Sequence, residues 1–290
     1  MIRVVVLGSG GSLPSVQRGT SSVAIKHAGE VYLFDCGEGT QRQMMRFGIS
    51  YAKVKAIFVT HLHADHYLGI PGLVETLGLI GRNEPLEVYG PRGTKERLEE
   101  FVHSDILQAK DVDASFVYTG DGFTIKPFNT LHYATSLGFV FEENQKRKFD
   151  EKKAHSKGLK GKMFTEIQEK GKLKIGSKTV HLDDISKLAQ GRKIAYTGDT
   201  MPCVETEKAA KCADLLIHDA TFGRELKDEA ELKRHSTVSE AARIAKKTGV
   251  KRLVLVHISN RYDDDKALEK EAREVFQESY VARDGNEFLV

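Results

Sequence analysis

Three histidines and an aspartate fall within the six residues 61–66 (HLHADH), directly after the apolar run 56–60 (AIFVT). The run reads as a strand, so the cluster leaves a sheet at one end. Imidazole and carboxylate are ligands that suit zinc, and the alternation of His61 and His63 lets both rings point the same way from an extended turn. Asp65 and His66 lie one step further round and face a second position. A solvated polar turn is the bland alternative, but four ligating groups packed this closely invite two metals side by side. Such a pair needs more ligands from distant parts of the chain. A fold can supply them only by bringing several strand ends to one rim.

Candidates stand where that requirement would place them. His132 follows FTIKPFNTL, Asp199 lies in YTGDT after the apolar run 192–197, and His257 follows RLVLV at 252–256. Further β-branched runs at 2–7, 22–26, 31–34, 86–89 and 214–217 read as strands, with helical patterns at 68–80, 94–108, 202–211, 237–248 and 263–278 between them. Ser236-Thr237 is the expected N-cap of the fourth helix and Gly249 its stop. The class is therefore α/β. No apolar run approaches the roughly 20 residues needed to cross a bilayer, so a membrane role is not expected. The opening MIRVVVLGSGG reads as a strand running into a glycine turn rather than a secretory signal, which implies a cytoplasmic protein. Cys36, Cys203 and Cys212 are odd in number and lack C-x-x-C spacing, as expected of reduced thiols outside any zinc knuckle.

The formal charge of +3 is small for a nucleic-acid binder, but it is unevenly spread. Between Lys146 and Lys174 there are eleven Lys or Arg against four acids, a local excess of +7, which leaves the remainder at −4. Around this stretch, from about 143 to 178, apolar residues are few, and Gly158, Gly161, Gly171 and Gly176 interrupt any long element. It reads as a basic arm inserted into a single domain spanning 1–290.

The order H-x-H-x-D-H, a later histidine, G-D-T and a final histidine resembles the metallo-β-lactamase superfamily, whose αββα sandwich is then the expected fold. By that pattern His61, His63 and His132 would bind a first zinc ion, Asp65, His66 and His257 a second, and Asp199 would bridge the two. Within the superfamily the chain resembles the tRNA 3′-endonucleases of the ribonuclease Z family. HADHYLGIPGLVETLG continues the ligand turn into a helix as it does there; DLLIHDATF at 214–222 resembles that family's H-E-A-T segment, RHSTVSEAARIA at 234–245 its H-S-T loop, and VLVHISNRY at 254–262 its closing histidine motif. GSGGSLPSVQRGTSS at 8–22 resembles the glycine-rich loop that shapes the cleavage-site pocket, and Arg18 within it is a candidate for approaching a phosphate. That loop lacks the last glycine of G-x-G-x-x-G and runs into another strand, which argues against a dinucleotide fold.

The resemblance implies a zinc-dependent endoribonuclease that removes the 3′ trailer of precursor tRNA after the discriminator nucleotide, leaving a 3′-hydroxyl and a 5′-phosphate. Asp65 would orient and deprotonate the attacking water. His235, oriented by Asp219, would protonate the departing oxygen. The basic arm would grip the tRNA, and a homodimer is implied. Two departures stand out: Asp219 replaces the glutamate common at H-E-A-T and must approach its partner more closely, and the arm shows Gly158-Leu159-Lys160-Gly161 in place of a Gly-Pro pair. The rival readings are a hydrolase of small phosphodiesters or thioesters on the same scaffold, and an RNA-binding protein with a vestigial metal site. The first needs no basic arm, and the complete ligand set argues against the second.

Overall fold

A computed structural model describes residues 1–132 and 135–290. The chain forms two compact units: one comprising Met1–Phe141 with Lys193–Val290, the other Glu142–Arg192.

The larger unit is built on two seven-stranded sheets. The first holds β1 (Arg3–Gly8), β2 (Ser22–His27), β3 (Glu30–Phe34), β4 (Val54–Phe58), β5 (Leu86–Gly90) and β6 (Leu107–Asp111), with the last strand of the chain, β18 (Glu287–Leu289), on the outer side of β1. The second runs in the order β17 (Ser279–Val281), β16 (Leu253–Val256), β15 (Leu215–Asp219), β14 (Lys193–Tyr196), β9 (Leu137–Glu143), β8 (Phe123–Asn129), β7 (Tyr118–Gly120). In each sheet one half is parallel, β3 to β6 and β14 to β17 respectively.

Alternation along single strands accounts for the layering. On β1, Val4 and Val6 face a core shared with the second sheet through Phe139, Tyr196 and Ile217, while Val5 and Leu7 face the helices Thr40–Arg46 and Gly69–Leu79 through Met44, Ile70 and Leu73. The far side of the second sheet packs Leu216 and Leu255 against Ala241, Ala245 and Leu268 from Val238–Thr248 and Lys266–Val275. These strands are buried on both faces, which is why they read as continuous apolar runs. The layers are helix, sheet, sheet, helix, the αββα sandwich expected.

The helix Val238–Thr248 starts on a capping box, Thr237 accepting from the Glu240 amide and Glu240 accepting from the Thr237 amide, and it ends on left-handed Gly249 (φ 68°). The expected helix over 94–108 stops at Phe101 instead. Residues Leu107–Asp111 pair with Leu86–Gly90, and that edge ladder, with only Ala109 buried, lacks the apolar alternation that would have marked a strand.

Within the smaller unit, β10 (Lys146–Phe149) pairs with β13 (Ser186–Ala189) and β11 (Lys172–Ile175) with β12 (Lys178–His181). Its few apolar residues are gathered: Ala154, Leu159, Ile167, Val180, Leu182 and Ile185 form a core of their own, joined by Phe149 and Phe164. The lysines from Lys146 to Lys174 are exposed. Among the described residues no helix is long and apolar enough to cross a membrane.

Candidate metal centre

Parallel strands deliver their carboxyl ends to one rim, where ligand sites of open α/β sheets collect. Asp35 follows β3, His61 follows β4, Asp199 follows β14, Asp219 ends β15 and His257 follows β16. His132 joins them from the segment after β8, whose neighbour Leu131 bridges to Met201 beside Asp199. Asp35 and His257 both take left-handed backbone (φ 57° and 61°), which turns each sharply out of its strand.

Three groups of ligating atoms result: His61, His63, His132 and Asp199; Asp65, His66 and His257; and Asp199, Asp219, His235 and His257. In the first, His61 Nε2 lies 2.9 Å from His63 Nδ1 and 3.6 Å from Asp199 Oδ2, and His132 Nε2 lies 3.4 Å from His63 Nδ1 and 3.8 Å from Asp199 Oδ2. In the second, Asp65 Oδ2 is 3.5 Å from His66 Nε2 and 3.3 Å from His257 Nε2. Asp199 lies against this group as well, its Oδ1 3.3 Å from His66 Nε2 and its Oδ2 3.3 Å from His257 Nε2. Ligands held at 2.0–2.2 Å around a tetrahedral ion stand roughly 3.3–3.6 Å apart, so the spacing suits first-row metal coordination.

The outer nitrogens decide which atoms point inward. Thr60 Oγ1 donates to Asp35 Oδ2 (3.0 Å) and so accepts from His61 Nδ1 (3.0 Å), which leaves His61 Nε2 its lone pair. Thr221 Oγ1 donates to Asp219 Oδ1 (2.7 Å) and accepts from His257 Nδ1 (2.8 Å), with the same effect on His257 Nε2. His132 Nδ1 donates to the Arg234 carbonyl (2.9 Å), and His66 Nδ1 to Asp35 Oδ2 (2.8 Å). Each ring is thus set in a metal-ligating tautomer by a partner behind it.

The inward atoms also fit a cation. His66 Nε2 and Asp199 Oδ1 are buried, face each other and make no hydrogen bond. Buried polar atoms of this kind carry a desolvation penalty that a cation between them would offset. The electrostatics of the site favour positive charge there. Burial lowers the pKa of His257, but Asp199 and Asp65 outweigh it and hold the ring up at about 9. Burial opposes the charge on Asp199 too, and His257, His66 and His61 still keep its carboxyl well below the usual range.

Beside this centre His235 Nδ1 contacts Asp219 Oδ2 at 2.8 Å, and its ring stacks on His257 with centroids 5.0 Å apart. Asp219 also accepts from the amides of Thr200 and Thr221, both at 3.0 Å, so the shorter side chain does reach its imidazole.

The metallo-β-lactamase superfamily profile matches residues 16–239. Ribonuclease Z from Methanosarcina acetivorans is 42% identical over 98% of this chain and 96% of its own length. This chain belongs to the ribonuclease Z family. Human tRNase Z, short form, matches in structure with a TM-score of 0.71 and 29% identity, covering 99% of this chain and 98% of that one. The metallo-β-lactamase fold protein YhfI of Bacillus subtilis, at 21% identity and a TM-score of 0.75 over 99% of this chain and 98% of that one, shares the fold. Membership makes the chain an endoribonuclease-type hydrolase, and the superfamily together with the His/Asp groups points to a divalent metal.

Nine of the ten residues singled out in the sequence come together here: His61, His63, Asp65, His66, His132, Asp199, Asp219, His235 and His257. Arg18 does not join them. Its guanidinium is buried, donating to Ser9 Oγ (2.7 Å), the Ala282 carbonyl (2.5 Å) and Asp265 Oδ2 (2.8 Å), so it has no freedom to approach a phosphate. The loop carrying it acts through its backbone instead: the Ser12 amide donates to Asp65 Oδ2 at 2.8 Å, and a Cβ on Gly11 would lie 2.6 Å from the His257 ring.

The residue missed by sequence reasoning is Asp35. Fully buried, it accepts from the Thr60 amide (2.7 Å), Thr60 Oγ1, His66 Nδ1 and the Tyr196 hydroxyl (2.7 Å). The available signal was its place directly after the apolar run 31–34, the rule that found the other acids. Asp35→Asn puts a donor where donors already point. It should weaken metal affinity by roughly 10–100-fold, the usual effect of losing a partner behind a ligand. Competition against a chromophoric chelator measures this, and an unchanged affinity would rule out the orienting role.

Proposed function

We propose that this chain is a zinc-dependent endoribonuclease that removes the 3′ trailer of precursor tRNA after the discriminator nucleotide, working as a homodimer in the cytoplasm. The observation that carries this reading is the pairing of two ligand groups around Asp199 with a separate His235–Asp219 couple beside them. His61, His63 and His132 would hold one ion, Asp65, His66 and His257 the other, with Asp199 shared. Two zinc ions held there would bring the pKa of water down to about 7 and so supply a nucleophile at neutral pH.

The side chains divide the remaining work. Asp65, fixed by the Ser12 amide, orients the attacking water and accepts its proton. As the new oxygen–phosphorus bond forms, the bond from phosphorus to the 3′-oxygen of the discriminator breaks, and that oxygen needs a proton. His235 supplies it from Nε2, because its Nδ1 is engaged by Asp219. The products are a tRNA ending in a 3′-hydroxyl and a trailer beginning with a 5′-phosphate.

A processing enzyme must accept tRNAs of many sequences, so recognition rests on shape and backbone phosphates. The +7 stretch from Lys146 to Lys174 suits that task, as its lysines stand on a folded unit with its own core.

The decisive experiment incubates zinc-loaded protein with a precursor tRNA bearing a 3′ trailer and maps the product ends, with Asp199→Ala alongside. One metal-dependent cut after the discriminator, absent in the variant, is expected; no cut, together with brisk hydrolysis of a small phosphodiester, would favour the small-substrate rival. His235→Ala should retain its metal and lower kcat by about 10²–10⁴-fold, the range of a lost general acid, and undiminished turnover would refute the role. Replacing Lys152, Lys160, Lys172 and Lys174 with Gln should weaken tRNA binding and flatten its log–log salt dependence by about 0.7–0.9 for each lysine that touches a phosphate. An unaltered slope would remove this unit from tRNA binding.

A further inference from the structure

A pocket opens beside His235, and the proposed chemistry gives its two cations no task. Two cations, Lys233 and Arg261, line it together with His235, while the glycine-rich loop contributes Leu13 to one wall. Among the described residues no acidic one lines it. Both cations are held in place from behind by one carboxylate: Glu229 meets Lys233 Nζ at 2.8 Å and the Arg261 guanidinium through both nitrogens at 2.7 and 3.0 Å. Both also sit over the ring of Phe222, with Arg261 Cζ at 5.4 Å and Lys233 Nζ at 5.9 Å from its centroid, and that ring stands 6.2 Å from His235.

Stability does not explain this arrangement. The two cations, Arg261 and Lys233, are 44% and 51% exposed, and ion pairs that open to water contribute little. Two positive charges on one negative charge leave an excess of one, facing a pocket without an acid to meet it. The aromatic ring and the bidentate carboxylate restrict both heads before any ligand arrives, which lowers the entropy lost on binding. Such a site takes an anion.

We propose that Lys233 and Arg261 form a binding site for one particular RNA phosphate, the backbone phosphate on the 5′ side of the discriminator nucleotide. The assignment rests on the reading above in which His235 protonates the discriminator's 3′-oxygen. The leaving nucleotide must then lie on the His235 side of the scissile phosphorus, and its own 5′-phosphate is the next anion along the strand. Engaging that phosphate places the discriminator with its 3′-oxygen against His235, so the pair sets which linkage is cut.

The test uses the full-length, zinc-loaded protein and precursor tRNAs in which one linkage is a neutral methylphosphonate. The substitution is placed either on the 5′ side of the discriminator or after the first trailer nucleotide. On unmodified RNA, Lys233→Ala and Arg261→Ala should each lower kcat/KM on the order of tenfold, as for a lost charge-assisted contact. The unaltered protein should lose a similar factor on RNA neutralised upstream, and the two losses should not multiply when variant and modified RNA are combined. Losses that multiply at the upstream linkage would overturn the proposal, as would a non-multiplying loss at the trailer linkage instead. Lys233→Arg, which keeps the charge, should recover most of the rate, and a loss equal to that of Lys233→Ala would also overturn it. Failure of the unaltered protein to cut unmodified RNA would be a different result, refuting the tRNA reading itself and this assignment with it.

Discussion

Burial of three carboxylates among five imidazoles at a sheet rim is a constraint that much of the structure serves. Asp199, Asp65 and Asp35 lie within contact distance of His61, His66, His132 and His257 or their partners, with His63 at the open edge. Taking so many ionisable groups out of water costs several kcal/mol for each unpaired charge. The arrangement is tenable because each carboxylate faces an imidazole and because the atoms left unpaired converge where cations fit. Asp35 anchors the set from behind. Its contact with Tyr196 ties the first sheet to the second directly beneath the ligands, so the sandwich and the centre constrain one another.

The aromatic core beneath explains why the rim holds its geometry. Phe34 stacks on Phe58 at 5.4 Å and Phe58 on Tyr89 at 5.5 Å, with Phe139 of the second sheet inserted at an angle. These rings belong to β3, β4, β5 and β9, and β3 and β4 lead into Asp35 and the HLHADH turn. Each fully buried large side chain of this type contributes about 1.5–3 kcal/mol, and close packing leaves little room for the strand ends to shift. Ligand positions are thereby determined by the core, while the ligand turn itself contributes little packing of its own.

The glycine-rich loop at 8–22 links these levels differently from what its composition suggests. Its buried arginine belongs to a network in which Asp265 also takes two nitrogens of Arg283, and Asp284 accepts from the amides of Ser9 and Gly19. The network holds the loop so that Gly11 lies flat on His257 and the Ser12 amide reaches Asp65. A phosphate-seeking arginine and a loop-anchoring one look alike in sequence, since both occur beside glycines. Only the carboxylates contributed from residues 265 and 284 distinguish them.

Much was decided by the sequence alone. The α/β class follows from apolar runs alternating with helical patterns, and the candidate ligands were legible as His and Asp placed at strand exits, because local hydrophobic period and residue chemistry need no knowledge of distant partners. The helix at Val238–Thr248 was readable from its cap and its glycine for the same reason. The tertiary structure decided what depends on pairing across the chain. It turned residues 107–111 into an edge strand through hydrogen bonds to β5, and it gave Asp35 its four donors from Thr60, His66 and Tyr196. It also collected the scattered apolar side chains of the basic stretch into a core, and brought Lys233 and Arg261 onto one aromatic ring. Each of these rests on contacts between residues far apart in the chain, whose partners no local pattern can name.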